Sequence, residues 1–281
     1  LARALAISSN AAAVRVSQTV GIPNVINAAR RDGISSPLPN VPALALGAVD
    51  VTPLELVAAY APFANGGMRV TPRLVRRIEA ADGTVLWSQE IAPADTVMDP
   101  RDAYQLTSML QGVVDNGTAR VLREMGVDGP VAGKTGTTND ADDVWFVGYT
   151  PTLVAGVWFG YDTPRPIAPH ASGGHLAAPA WGEFYLNGWR EPASSANAWQ
   201  PPPGMISRVI DPETGMLAND WCPDRKREWF KPGTEPTELC NVHTEPQPDY
   251  VPMPDGIPQI PEQVQKATQG IGKVLRRIFH F

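Results

Sequence analysis

Several features by which protein classes are recognised are scarce or absent in this sequence. It has 23 basic residues against 29 acidic ones, a net charge of −6, which argues against a nucleic-acid-binding surface, where a basic stripe is expected. No uninterrupted apolar run is long enough to span a bilayer. With only two cysteines in 281 residues, the chain can form at most one internal disulfide. What remains is the composition of an ordinary globular protein, with one large domain or one domain and an appendage.

The middle of the chain places a lysine among small and hydroxyl residues, in the stretch Val-Ala-Gly-Lys-Thr-Gly-Thr-Thr at 131–138. This stretch is predicted to be a strand. An ammonium beside hydroxyls and an exposed backbone N–H suits an anionic tetrahedral centre, and the glycines on either side of Lys134 allow a ligand to approach the backbone. A phosphate-binding loop is excluded, because that motif needs glycine at the position of Asp128.

The first twenty residues predict two helices, 1–7 and 11–20, the second ending at Gly21. Ser8 and Asn10 therefore lie on a tight turn between two helices. In isolation, Asn10 in such a place is interpreted as a helix cap.

Ser-x-Asn at Ser8 and Asn10, followed by Lys-Thr-Gly at Lys134, are two of the three elements of penicillin-recognising serine acyltransferases, in the order of that family. Longer stretches also resemble class A penicillin-binding proteins: 46–56, 64–67, 112–119 and 145–151. The resemblance runs from about residue 1 to about 189, with some continuation to about 243. It implies the later part of a D,D-transpeptidase domain that cross-links peptidoglycan stem peptides through an acyl-serine. The implied fold is the α+β fold of β-lactamases and transpeptidases, an antiparallel sheet with helices packed on it.

The resemblance also implies roles for individual residues. Lys134 would keep its charge and hold the Ser8 hydroxyl, which relays a proton to the leaving amine. Asn10 would offer its amide to the backbone of the acyl-donor peptide. The hydroxyls of Thr135 and Thr137 would hold the terminal carboxylate of D-Ala-D-Ala or of a β-lactam.

The backbone N–H of Thr137 would supply half of the oxyanion hole, and Gly136 and Thr138 complete the predicted substrate-binding strand. No cofactor is implied, and no histidine, including His170 and His175, has a spacing that demands a metal.

The third family element is missing, because no serine is followed three positions later by lysine. One explanation is a fragment that starts after the nucleophile helix, and a degenerate, non-catalytic peptidoglycan-binding domain is the other. A serine β-lactamase or D,D-carboxypeptidase would share the motifs that are present. For a fragment, the resemblance implies a membrane anchor upstream, an extracytoplasmic or periplasmic location, and an upstream glycosyltransferase domain as partner.

Between the motifs, local signals predict ordinary elements. A capping box at Thr52 and Glu55 begins a helix, and Asp82-Gly83 marks a hairpin. A second helix is predicted from Pro100 to Asn116. Three strands then follow, at Lys134, 143–149 and 153–159, with a closing helix at 179–189. We predict that residues 1–190 form the transpeptidase domain.

The C-terminal part differs in composition, since 14 of the 29 prolines fall between 191 and 261. This favours a loop-rich appendage at 191–245, followed by a linker and basic amphipathic tail at 246–281. The tail suits a membrane surface or partner groove, or is a frayed terminus. A disulfide between Cys222 and Cys240, worth about 3 kcal/mol, is favoured. A zinc site formed by these cysteines and His243 lacks a fourth ligand.

Overall fold

The computed structural model describes residues 1–90, 93–189 and 198–245. It contains two compact units, Leu1–Val242 and His243–Phe281. The predicted linker and tail at 246–281 lie outside the described residues. So does the predicted boundary at 190, and the division into three parts stays a prediction. Within the described residues, no helix combines the length and apolarity needed to cross a membrane.

Helices and strands alternate in blocks along the chain. The α-helices are α1 (Ala2–Ala6), α2 (Asn10–Val20), α3 (Ile22–Asp32), α4 (Pro53–Ala59), α5 (Ala61–Ala64), α6 (Pro100–Asp115), α7 (Val121–Glu124) and α8 (Ala178–Phe184). A 3-10 helix spans Pro42–Leu46, and π-helices span Gly173–Ala177 and Tyr185–Trp189. The strands are β1 (Arg77–Glu79), β2 (Val85–Ser88), β3 (Ala132–Thr137), β4 (Val144–Tyr149), β5 (Val154–Phe159), β6 (Ile206–Ile210) and β7 (Lys226–Phe230). They form three separate antiparallel sheets, β1-β2, β3-β4-β5 and β6-β7.

The predicted capping box is present at the start of α4. The Thr52 hydroxyl accepts the N–H of Glu55, and the Glu55 carboxylate accepts the N–H of Thr52. The same carboxylate accepts hydrogen bonds from Ser35 and Ser36. Desolvation opposes its ionisation, but the hydrogen bonds from Ser36, Ser35 and Thr52 prevail and lower the pKa of Glu55 to about 2. A single carboxylate thus joins the segment after α3 to the first turn of α4.

The three-stranded sheet β3-β4-β5 carries the main core. Phe146 and Tyr149 of β4 are fully buried, and the Trp181 ring of α8 meets Phe146 edge-on with ring centroids 5.7 Å apart. The indole N–H of Trp181 is satisfied by the carbonyl of Ala155 in β5, at 3.1 Å. Helix α6 contributes Val113 and other residues to the same core. The predicted α+β architecture and the three central strands are confirmed.

The C-terminal part of the first unit packs against α6. Gln105 of α6 donates to the carbonyl of Trp229 in β7 at 3.1 Å, and Ser108 donates to Glu228 at 3.0 Å. Trp199 donates its indole N–H to the carbonyl of Ala64 at 2.8 Å. The sequence predicts loops in this segment, and the antiparallel pair β6-β7 was not expected. The many prolines of the segment hide the alternating pattern of two such short strands.

The two cysteines are buried thiols in the described structure, without a bond between their sulfur atoms. Each thiol instead donates to an oxygen: Cys222 to the side-chain carbonyl of Asn219 at 3.3 Å, and Cys240 to the Asp211 carboxylate at 3.2 Å. The disulfide predicted between these cysteines stays a prediction. The sequence offered no sign of Asp211, which the turn after β6 brings beside Cys240.

Candidate active site

The turn between α1 and α2 presents Ser8 on strained backbone. Ser8 has φ of 56°, in the left-handed region that few non-glycine residues adopt. Ser9, and not Asn10, caps α2, because the Ser9 hydroxyl accepts the N–H of Ala12 at 3.4 Å. Asn10 is the first residue of the helix, and its exposed amide makes no hydrogen bond to the described part of the chain. It therefore remains available to a ligand.

Lys134 of β3 reaches the Ser8 turn. Its ammonium donates to the Ser8 hydroxyl at 2.7 Å and to the carbonyl of Thr135 at 2.9 Å. Burial lowers the pKa of Lys134 from its ordinary value of 10.5 to about 8. Among the described residues, no carboxylate lies within 4 Å of this ammonium. The ammonium is therefore mostly charged at neutral pH, and an anionic ligand would compensate it.

Thr118, which follows α6, joins β3 to α1. Its hydroxyl lies 2.6 Å from that of Thr135, and its N–H donates to the carbonyl of Ala6 at 3.1 Å. The approach is close because the preceding residue is Gly117, where an added Cβ would lie 2.3 Å from the Ala6 carbonyl oxygen. The end of α6 thereby fixes the distance between the Ser8 turn and the Lys134 strand.

Thr137 is held from the other direction by the π-helix at Gly173–Ala177. Its hydroxyl accepts the N–H of Gly173 at 3.0 Å and keeps its own proton for donation to a ligand. The segments touch backbone to backbone, since a Cβ on Gly173 would lie 2.2 Å from the Trp145 carbonyl oxygen and 2.6 Å from that of Gly136. We call Ser8, Thr118, Lys134, Thr135 and Thr137 the lysine cluster.

Thr138 does not join the lysine cluster. It lies one residue beyond β3, and its hydroxyl accepts the N–H of Asp143 at 3.0 Å within the turn that leads to β4. The Asp143 carboxylate in turn accepts the indole N–H of Trp158 at 2.8 Å. The hydroxyl of Thr138 therefore takes part in the turn, and its predicted substrate-binding role stays a prediction.

The chemistry of the lysine cluster is that of anion recognition next to a proton relay. The site contains one partly buried ammonium, hydroxyls on the alternate strand positions Thr135 and Thr137, and the Ser8 hydroxyl. Among the described residues, no acidic group lies within 4 Å of the Lys134 ammonium. Such preorganised donors stabilise developing negative charge far better than water does.

Comparison with known proteins identifies the family to which this chain belongs. Residues 1–185 match the penicillin-binding protein transpeptidase domain. The chain belongs to this transpeptidase family. Residues 201–245 match the C-terminal domain of penicillin-binding protein 1A, so the region that carries β6 and β7 also has a counterpart in penicillin-binding proteins.

Individual penicillin-binding proteins align over most of the chain. Penicillin-binding protein 1A of Pseudomonas aeruginosa is 33% identical over 306 residues, covering 91% of this chain and 37% of that protein. The one from Aquifex aeolicus is 37% identical over 238 residues, covering 85% and 32%. The chain thus spans about a third of the length of these curated relatives.

Solved penicillin-binding proteins share the fold. The crystal structure of penicillin-binding protein 1A from Haemophilus influenzae has a TM-score of 0.76 and 27% identity, covering 85% of this chain and 41% of that one. The PonA1 protein from Mycobacterium tuberculosis in complex with penicillin V has a TM-score of 0.57 and 25% identity, covering 72% and 58%. The predicted transpeptidase-like fold is confirmed.

Two residues of this penicillin-binding domain were missed as members of the site. Thr118 lies in the stretch 112–119, which resembles the family, but no residue pattern indicated that its hydroxyl meets Thr135. Gly173 lies two residues before His175, between the predicted strand at 153–159 and the predicted helix at 179–189. A Gly-Gly pair at 173–174 is the signal that could have suggested close backbone contact.

Proposed function

We propose that this domain is the acyl-transfer part of a peptidoglycan D,D-transpeptidase that forms an acyl-serine and binds β-lactams. The observation that supports the proposal most strongly is the 2.7 Å hydrogen bond from Lys134 to Ser8, made where no carboxylate of the described residues lies within 4 Å of the ammonium. An arrangement for structure alone would pair a partly buried lysine with an acid.

In this proposal each group has one role in the reaction. The serine hydroxyl of the nucleophile attacks the carbonyl of the penultimate D-Ala, and the terminal D-Ala departs as the amine with a proton relayed through Ser8. An acceptor amine then attacks the ester and returns a proton to the nucleophile. Lys134, Thr135 and Thr137 hold the carboxylate of the donor, the Thr137 N–H holds the oxyanion, and Asn10 holds the peptide backbone.

The nucleophile itself does not come from a Ser-x-x-Lys sequence of these 281 residues. We place it on another segment of a longer protein, since the curated relatives are about three times as long as the chain. By the same resemblance, the longer protein includes a glycosyltransferase domain and works at the extracytoplasmic face of the membrane, where stem peptides are its partners.

Labelling of the longer protein with fluorescent penicillin tests the proposal. K134A should lower the acylation rate at least a hundredfold, the size typical for removal of one oxyanion or anion donor. T19A is the matched control, because the exposed Thr19 hydroxyl donates to the carbonyl of Arg15 within α2, and this variant should label normally. Full labelling of K134A would contradict the assignment of the site.

Two other functions give different results in the same protein. A β-lactamase or carboxypeptidase passes the acyl group to water, so adding an amino acceptor would leave the product unchanged. A non-catalytic peptidoglycan-binding domain would bind muropeptide and form no covalent penicillin adduct, as the missing nucleophile motif would require.

A further inference from the structure

The C-terminal part of the first unit contains a second group of reactive side chains, Asp211, Cys222 and Cys240, which we call the thiol cluster. A carboxylate oxygen and the two sulfur atoms lie within 4.8 Å of one another. The three residues are 1%, 5% and 5% exposed. Carboxylates buried to this degree are paired or coordinate metals. Nothing in the proposed acyl transfer uses them.

Neighbouring groups orient the three candidate ligands. The Asp211 carboxylate accepts the N–H of Glu213 and the hydroxyl of Thr214, each at 2.9 Å. The N–H of Asn219 points at the sulfur of Cys222 at 3.4 Å, and its side-chain amide donates to the carbonyl of Cys240 at 2.8 Å. Outer hydrogen bonds of this kind fix ligand orientation in metal sites, and an N–H directed at sulfur stabilises a bound thiolate.

The backbone holds the ligands from three directions. Asp211 follows β6, and its N–H donates to the carbonyl of Met216 at 2.9 Å, which closes a turn. Leu217 pairs with both Ile210 and Leu239. The N–H of Cys240 donates to the carbonyl of Leu217 at 2.8 Å. The relative position of Asp211 and Cys240 is therefore set by the main chain.

We infer that Asp211, Cys222 and Cys240 bind one Zn²⁺. Asp211 supplies the ligand that the sequence did not reveal. Two thiolates select zinc over magnesium or calcium. Tetrahedral zinc with bonds of about 2.0–2.3 Å separates its ligand atoms by about 3.3–3.8 Å. The 3.2 Å between Cys240 and Asp211 is close to this range.

Binding changes the charge of the site in a defined way. The two thiol protons pass to solvent, so that two thiolates and one carboxylate face the divalent cation. Zinc then replaces the hydrogen bonds that the thiols now make to Asn219 and Asp211. The expected result is a cross-link between the end of β6 and the segments around Cys222 and Cys240.

Metal analysis of the full 281-residue chain tests this inference, independently of penicillin. The chain is expressed with added zinc, purified without chelator, and analysed for metal content and intact mass. We expect one zinc per chain and a mass with both cysteines unoxidised. A strong chelator should remove the zinc and expose two thiols to alkylation. D211A and C222S should each weaken zinc binding by tenfold or more.

Matched controls separate ligation from folding. D220N and H175A change an exposed aspartate and a histidine outside the ligand set, and they should keep one zinc per chain. C240H should retain metal, because imidazole can replace thiolate, and with Co²⁺ it should show a weaker sulfur-to-metal charge-transfer band. A role in packing alone would not be rescued by histidine.

Three results would overturn the inference. A zinc-free chain whose mass is two hydrogens lower contains the disulfide instead. A zinc-free chain with two titratable thiols has no metal site. Equal zinc affinity in D211A and the unaltered chain would exclude this ligand set.

Discussion

The lysine cluster and the thiol cluster both bring reactive side chains together, but they differ in how far apart the parts lie in the sequence. The lysine cluster joins Ser8 to Lys134, 126 residues later, with Thr118 and Gly173 as supports. The thiol cluster draws on residues 211–240, within one local fold of β6 and its neighbours. The first depends on packing of the whole core, whereas the second depends on a few backbone hydrogen bonds.

The clusters also differ in what they leave for a ligand. The lysine cluster is open, with an exposed amide at Asn10 and an ammonium that has no acid within 4 Å among the described residues. The thiol cluster is closed, since all three of its members are buried. An open cluster suits a ligand that comes and goes, and a closed one suits a resident ion. A substitution in one cluster is therefore expected to leave the other cluster intact.

The largest effect is expected from G173A. The new Cβ would lie 2.2 Å from the Trp145 carbonyl oxygen and push the π-helix away from β3, at a cost on the order of 3 kcal/mol. Chemical denaturation measures the loss, and penicillin labelling of the longer protein should fall with it. G188A is the control, because its Cβ meets only the far end of the Phe184 ring, at 4.0 Å. Alkylation of Cys222 in the folded chain should not change.

W199A tests the attachment of the C-terminal region to the core. Trp199 donates to the Ala64 carbonyl, and its ring meets Tyr149 edge-on at 5.5 Å. Its removal should cost about 2 kcal/mol of unfolding free energy, less than for a fully buried tryptophan because Trp199 is only partly buried. W221A, which removes an exposed indole, should cost less than about 0.5 kcal/mol. Equal effects would mean that Trp199 does not anchor the region.

The pH dependence separates the effect of the Lys134 charge on acylation from the effect of Lys134 on the free energy of unfolding. Because burial lowers its pKa to about 8, folding releases a proton between pH 8 and the ordinary value of 10.5. The contribution of Lys134 to the free energy of unfolding should therefore rise with pH across this window. Acylation of the longer protein should instead fall above pH 8, by about tenfold per pH unit, as the ammonium is lost.

K134R is the control for the pH dependence, since a guanidinium stays charged throughout this window. Its labelling should be slower but level above pH 8. A decline with the same midpoint would show that a different group titrates. Denaturation of K134M, compared with the unaltered chain, isolates the effect of Lys134 on stability.

The smallest effect is expected from K231A. Lys231 lies 2.9 Å from Asp102 and 3.6 Å from Asp99, in partly exposed ion pairs that join the segment after β7 to α6. Such pairs contribute about 0–1 kcal/mol, and salt screens them. Denaturation at low and high salt measures the difference. R225A removes an ion pair to Asp220 within the C-terminal region itself and should behave alike. A loss that persists in high salt would mean that packing, not charge, joins these segments.

Sequence analysis predicted the parts of the lysine cluster that lie in motifs. Local signals placed Ser8 and Asn10 on a turn and Lys134 on a strand, whereas the roles of these residues and the α+β fold were implied by the family resemblance. Thr118 and Gly173 were missed, because their roles depend on contacts between segments that are distant in the sequence. Such contacts produce no local sequence pattern. The pairing of Ser8 with Lys134 came from the family resemblance, not from spacing.

The thiol cluster was predicted only in part. Cys222, Cys240 and His243 stood out by residue type, but Asp211 lies 11 positions before Cys222, a separation with no signature. A turn closed by the main chain at 211–216 brings that carboxylate inward. The strands β6 and β7 were missed for a related reason, since five-residue strands among prolines give a weak alternating signal.

Helix α6 has a consequence for exchanging parts between related proteins. Its inner face supports β3 and its end positions Thr118, while Gln105 and Ser108 on the same helix bind β7. A chimera that takes residues 198–242 from a relative would have to carry the matching positions of α6 with them. The same helix therefore carries the residues that bind the C-terminal region and the residues that set the geometry at Lys134. A sequence change in one region limits which changes the other region can accept.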